Sequence, residues 1–135
     1  MSYTNMEMDA MGESAARHLG RRDIIGYACA RNVRALESEL KEYLELKDAL
    51  VIKHGAAEFD EQGAPTGSYR FTSGSDSYEA FLTELGPYMT LTGEPRLMTL
   101  DYSDAIDRLT GTEIIELEWM FADKQTAQDD DTEGD

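Results

Sequence analysis

The chain has 135 residues, enough for one domain with a modest core, and 41% of them are hydrophobic. It carries 28 Asp and Glu against 12 Lys and Arg, a net charge of −16, which repels nucleic acid and anionic lipid and attracts basic protein surfaces. The lone Cys29 excludes an internal disulfide, no apolar run approaches the roughly 20 residues that span a bilayer, and Met1–Ala10 lacks the features of a secretion signal, so a cytoplasmic protein is expected.

Residues 1–20 are polar and small, with Met1, Met6, Met8 and Met11 among acids, and read as a flexible, partly ordered N-terminus. A single α+β domain is expected over residues 21–122. From about Asp23 to His54 the pattern is one long helix, uninterrupted by proline and stopped by Gly55. Cys29, Val33, Leu36, Leu40, Tyr43 and Leu50 fall on an alternating 4-3 spacing with Lys47 in the seam. About 32 residues give a rod of roughly 48 Å. Such a rod overhangs a domain of this size or packs on a second copy, so a homodimer through this helix is one expectation.

Residues 55–74 form a polar connection with turn signals at Gln62-Gly63 and Pro65-Thr66-Gly67, closing on a short strand over Ser68–Thr72. Asp76 and Glu79 make a capping-box pattern for a helix through Tyr78, Phe81, Leu82 and Leu85 that Gly86-Pro87 ends. Tyr88–Thr92 and Arg96–Leu100 flank Gly93-Glu94-Pro95, which suggests a small hairpin, and Ser103–Leu109 reads as a short helix. Thr110-Gly-Thr-Glu113 opens a last helix through Phe121, and an acidic tail over 123–135 reads as disordered. The expected architecture is one long N-terminal helix, two shorter helices and a small antiparallel sheet.

Catalytic chemistry is not signalled. His18 and His54 stand in no ligand spacing with Cys29, and on the long helix Cys29 and His54 lie about 37 Å apart. Phosphate-binding, dinucleotide and zinc motifs are missing, so no catalytic residue, metal or cofactor is assigned. Cys29 reads as a buried helical thiol.

Charge separates along the chain. Residues 1–54 hold 8 Lys and Arg against 9 Asp and Glu, whereas residues 55–135 hold 4 against 19. Asp101, Asp104 and Asp107 are spaced by three, which on a helix gathers them on one side. Together with Glu113 and Glu116 they are the expected partner-binding carboxylates, chosen near ordered elements because a rigid array loses less entropy on binding. Arg17, Arg21, Arg22, Arg31 and Arg34 form a basic segment expected to pair with the acidic half, within the chain or between subunits.

The helix closing on Leu46-Lys-Asp-Ala-Leu-Val-Ile-Lys-His-Gly55, the acidic turn, the Glu94-Pro95 segment and Leu109-Thr-Gly-Thr-Glu-Ile-Ile-Glu-Leu-Glu118 are similar to an uncharacterised family of small phage proteins. The likeness covers about residues 30–121, in pattern, and departs at the Met-rich start and the acidic tail. It implies a phage or prophage origin, hence a host bacterial cytoplasm, and carries no site residues over. With the charge it leads to an expected function: a non-enzymatic inhibitor whose carboxylates occupy the basic nucleic-acid channel of a host defence nuclease, as DNA-mimicking anti-CRISPR proteins do. Direct nucleic-acid or membrane binding is not expected. The alternative is a virion or tail-assembly component that pairs through the long helix, and a third reading is a small adaptor.

Overall fold

The computed structural model describes residues 1–123; the acidic tail expected from 123 lies, beyond Asp123, outside the described residues. It is an α+β fold organised on one spine. Strand β1 (Tyr3–Thr4) leads into helix α1 (Asn5–Ala16), and the spine α2 (Ile24–His54) follows. Strands β2 (Ala56–Phe59) and β3 (Pro65–Arg70) form a hairpin before helix α3 (Asp76–Met89). Strands β4 (Thr92–Gly93) and β5 (Leu100–Asp101), a 3-10 turn at Tyr102–Asp104, helix α4 (Gly111–Glu116), a 3-10 turn at Glu118–Met120 and strand β6 (Phe121–Ala122) complete it. Among the described residues no helix is long and apolar enough to cross a membrane.

The N-terminus departs from expectation. Thr4 caps α1 in a reciprocal box: its hydroxyl accepts from the Glu7 N–H at 3.1 Å, and Glu7 Oε1 accepts from the Thr4 N–H at 2.9 Å. Met8, Met11 and Ala15 then share one face and are buried, so residues 5–16 are a packed helix and not a loose leader. The Asn5 side-chain amide donates to the Tyr88 carbonyl and its N–H to the Leu91 carbonyl, which places the positive end of α1 on the negative end of α3.

Helix α2 runs as the spacing requires, from N-cap Asp23 to Gly55, whose N–H reaches the Val51 carbonyl. Buried positions continue from Ile25 to Leu50. Around the first half pack Ala15, Leu100, Ala105, Leu117, Met120 and Phe121; around the second pack Met8, Met11, Phe81 and Leu85. Most of the apolar seam is therefore covered within the chain. Lys47 breaks the seam by pairing with Asp9 of α1 at 2.5 Å.

Three further expectations are corrected. Ser75, not Asp76, caps α3, and the helix continues past Gly86-Pro87 to Met89, since a proline in the last turn forfeits a single N–H. No hairpin joins Tyr88–Thr92 to Arg96–Leu100: β4 pairs antiparallel with β1, and β5 pairs parallel with β6. The hairpin is instead β2–β3, inside the segment read as a connection, with Gly63 at φ 80 in its turn. Finally, the capping box at Thr110 and Glu113 forms, but α4 stops at Glu116 and the chain tightens into a 3-10 turn before β6.

Candidate functional site

The five carboxylates singled out from sequence sit in different local settings. Asp101 Oδ2 accepts from the Ser103 N–H at 3.0 Å and so caps the 3-10 turn. Asp104 lies 3.5 Å from the Arg108 guanidinium. Asp107 sits at φ 68, a left-handed conformation that breaks any continuous helix through Ser103–Leu109, so the three aspartates share no helical face. Glu113 and Glu116, on α4, turn toward the basic segment. The Thr110 N–H holds the Glu113 carboxyl below its usual range. Glu116 meets Arg17 at 2.7 Å, and the two carboxylates stand 3.7 and 3.6 Å from the ring nitrogens of buried His18.

Of the five arginines of the basic segment, two meet a carboxylate within the chain: Arg17 on Glu116 of the acidic half, and Arg21 on neighbouring Asp23. Arg21 grips Asp23 at 2.6 Å and donates to the Arg108 carbonyl at 3.0 Å. The Arg21 hydrogen bond brings the Asp23 carboxyl down to about 2, against a smaller opposing effect of burial. This answers the unfavourable placement of a cation before a helix N-terminus: the cap itself carries the countercharge.

Cys29 is fully buried, and burial pushes its thiol up to about 11, which leaves it protonated and inert. His54 lies 3.0 Å from Glu84 at the far end of α2. Among the described residues no group of three or more His, Cys, Asp or Glu side chains is arranged to hold a metal ion.

Two clefts flanking α2 combine apolar walls with carboxylate rims. Between α1 and α2, Val33, Leu36, Leu40 and Leu44 line a groove of about 210 Å³ edged by Glu13 and Glu37. Between α2 and α3, Tyr43, Leu46, Tyr88 and Leu91 line a cleft of about 320 Å³ edged by Glu39 and Glu42. Tyr88 and Leu91 are 44% and 55% exposed, and Glu39 and Glu42 form no ion pair among the described residues. These glutamates were missed because charge was summed along the chain, where residues 1–54 look balanced. The signal that finds them is helical: Glu39 and Glu42 fall four residues before Tyr43 and Leu46, on the edge of the apolar stripe.

Opposite in sign is a concave patch of about 560 Å³ on the N-terminal half of α2, where Arg31 and Arg34 meet Arg96 beside Tyr27. No protein-family model, no curated protein and no solved structure matches the chain, and the phage resemblance therefore rests on its sequence pattern alone.

Proposed function

We propose that the protein is a non-enzymatic binding module that receives cationic side chains of a protein partner in the cleft between α2 and α3. The observation that carries this reading is the cleft's composition, with Glu39 and Glu42, which have no ion-pair partner among the described residues, at the rim over Tyr43, Leu46, Tyr88 and Leu91. A Lys or Arg side chain has the complementary build, an apolar stem with a charged head. The net charge of −16 draws such a surface in from solution.

The partner we favour is a Lys- and Arg-lined nucleic-acid channel of a host defence nuclease, where folded carboxylates compete with phosphate. Support for that choice is the charge alone, with Asp101, Asp104 and Asp107 as a second set of contacts beyond the cleft. Binding to a panel of purified basic nucleases, read by calorimetry at 50 and 300 mM salt, tests it. A Glu39→Gln/Glu42→Gln variant is expected to bind at least tenfold more weakly with its helicity intact. Affinity unchanged by that variant and by salt sinks the cleft reading. A cleft variant that keeps its affinity, while an Asp101→Asn/Asp104→Asn/Asp107→Asn variant loses it, moves the site to the second set.

The alternative reading, a structural component of a larger assembly, is favoured by one feature: hairpin β2–β3 projects from the domain with every residue from Ala56 to Ser68 exposed.

A further inference from the structure

We infer that copies of this protein associate, the acidic hairpin tip of one seating in the arginine cleft of another. The inference goes beyond the partner-binding reading and uses none of the α2–α3 cleft residues, so the two stand or fall separately.

The cleft is cationic in an acidic molecule. Arg31 and Arg34 project from one face of α2, Arg96 comes from the extended segment after β4, and Ala30 and Ala35 leave the floor open. The Arg31 guanidinium leans toward Tyr27, 6.0 Å from its ring centre, and donates to its hydroxyl at 3.4 Å. Arg17, Arg21, Lys47, Lys53 and Arg108 each meet a carboxylate within the chain. None of the three cleft guanidiniums does so among the described residues, although acids outnumber bases 28 to 12. Three neighbouring guanidiniums repel one another until carboxylate or phosphate groups enter between them.

The hairpin supplies carboxylates in a preorganised form. Asp60 closes its turn, its Oδ1 accepting from the Gln62 and Ala64 N–H groups at 2.9 Å each. Glu58 and Glu61 flank it without ion-pair partners among the described residues, and Phe59 beside them is 62% exposed. Every residue of the hairpin from Ala56 to Ser68 is exposed, and a two-stranded hairpin is marginal by itself, which favours a packing partner for its tip. Tyr27, 54% exposed at the cleft rim, offers an aromatic surface for Phe59.

The tip does not reach its own cleft. Arg34 precedes Gly55 by 21 residues along α2, about 32 Å, whereas Glu61 lies six residues beyond Gly55, at most about 21 Å of extended chain. The occupant therefore comes from another molecule. Because the two surfaces differ, the contact either closes reciprocally in a two-fold pair or repeats into a ring or a filament.

Charge exchange on the full chain tests this. Sedimentation velocity from 5 µM to 500 µM in 0.15 M salt compares wild type, a cleft variant (Arg31→Glu/Arg34→Glu), a tip variant (Glu58→Arg/Glu61→Arg) and the chain carrying all four changes. Circular dichroism verifies that each folds, the altered side chains being exposed. Wild type is expected to gain mass with concentration. Either pair of changes should weaken association at least tenfold, and the fourfold variant should regain it. The tip variant has the lower net charge, −12 in place of −16, so relief of general repulsion predicts the opposite result for it. A wild type monomeric throughout, or a fourfold variant that stays monomeric, overturns the inference. Should wild type stay monomeric yet bind a fluorescent oligonucleotide or an acidic peptide that the cleft variant does not, the cleft belongs to an external polyanion and the inference is equally overturned.

Discussion

Asn32 and Met98 exchange two hydrogen bonds across 66 residues of sequence: the Asn32 amide donates to the Met98 carbonyl at 3.0 Å, and the Met98 N–H donates to Asn32 Oδ1 at 2.6 Å. Asn32 is fully buried on the spine helix and acts as a one-residue strand for the segment between β4 and β5, which no ladder covers at that point. Replacing it with Leu removes both partners at once and strands the Met98 amide. We expect Asn32→Leu to lose about 2–4 kcal/mol in urea unfolding, from two lost bonds and the desolvated groups left behind. A loss under about 0.5 kcal/mol means that water replaces the amide and the pair contributes little.

Asp23 predicts an acid dependence whose sign is fixed by its partners. Its carboxyl titrates near 2 in the folded protein against an ordinary value of 3.8, the Arg21 hydrogen bond being the main cause. A depressed carboxyl stabilises the fold above its unfolded value, and the contribution disappears as pH falls from 3.8 through about 2. The pair is about 30% exposed on the Asp23 side, so solvent screening trims the linkage to about 1 kcal/mol. Asp23→Asn keeps a good N-cap while losing the charge. It should be about 1 kcal/mol less stable than wild type at pH 6, with the gap narrowing as pH falls from 3.8 toward about 2 and closing only below that. A gap as large at pH 2 as at pH 6 places the effect elsewhere.

How far the fold was legible follows from where its information lies. The spine and the α4 cap are local: a 4-3 apolar spacing ending in Gly55, and a Thr110 to Glu113 box. The α1 helix was equally local, since Thr4-Asn-Met-Glu7 is a capping box and Met8, Met11 and Ala15 share a face. Their stripe is narrow, however, and composition suggested a loose end. The β2–β3 hairpin is exposed from Ala56 to Ser68 and carries no apolar alternation there, so only its turn and the end of β3, inside the strand read over Ser68–Thr72, were readable. Asn32 broke the apolar pattern for a reason 66 residues away that no local rule reaches. The candidate site suffered in the same way. Asp101, Asp104 and Asp107 were grouped on an assumed helix that Asp107 interrupts, while Glu39 and Glu42 acquire meaning once α3 brings Tyr88 and Leu91 alongside.

The docking of α1 is open to direct measurement. Met8 is fully buried between α1 and α2, whereas Met6, on the same helix, is 52% exposed. Met8→Ala should cost about 2–4 kcal/mol, and Met6→Ala less than about 0.5. Amide exchange across residues 8–15 should be protected to nearly the same free energy as α2 in wild type, and lose that protection first in Met8→Ala. Equal behaviour of the two variants restores the loose N-terminus that composition suggested.

Glycines in the first two helices should respond with opposite signs. Gly26 is buried in the opening turn of α2, and a Cβ there collides with the backbone carbonyl of Arg21. That carbonyl has little room to retreat, because the Arg21 N–H is bonded to His18 and its guanidinium to Asp23. Gly26→Ala should therefore destabilise by about 1–3 kcal/mol, as overpacking against a fixed backbone does. Gly12 sits inside α1 with open space around its missing Cβ. Gly12→Ala should gain about 0.5–1 kcal/mol by restricting the unfolded chain and favouring the helix. Thermal and urea unfolding of the two variants beside wild type decides the matter: a neutral Gly26→Ala means that the Arg21 turn yields, and with it the tie that anchors the start of the spine.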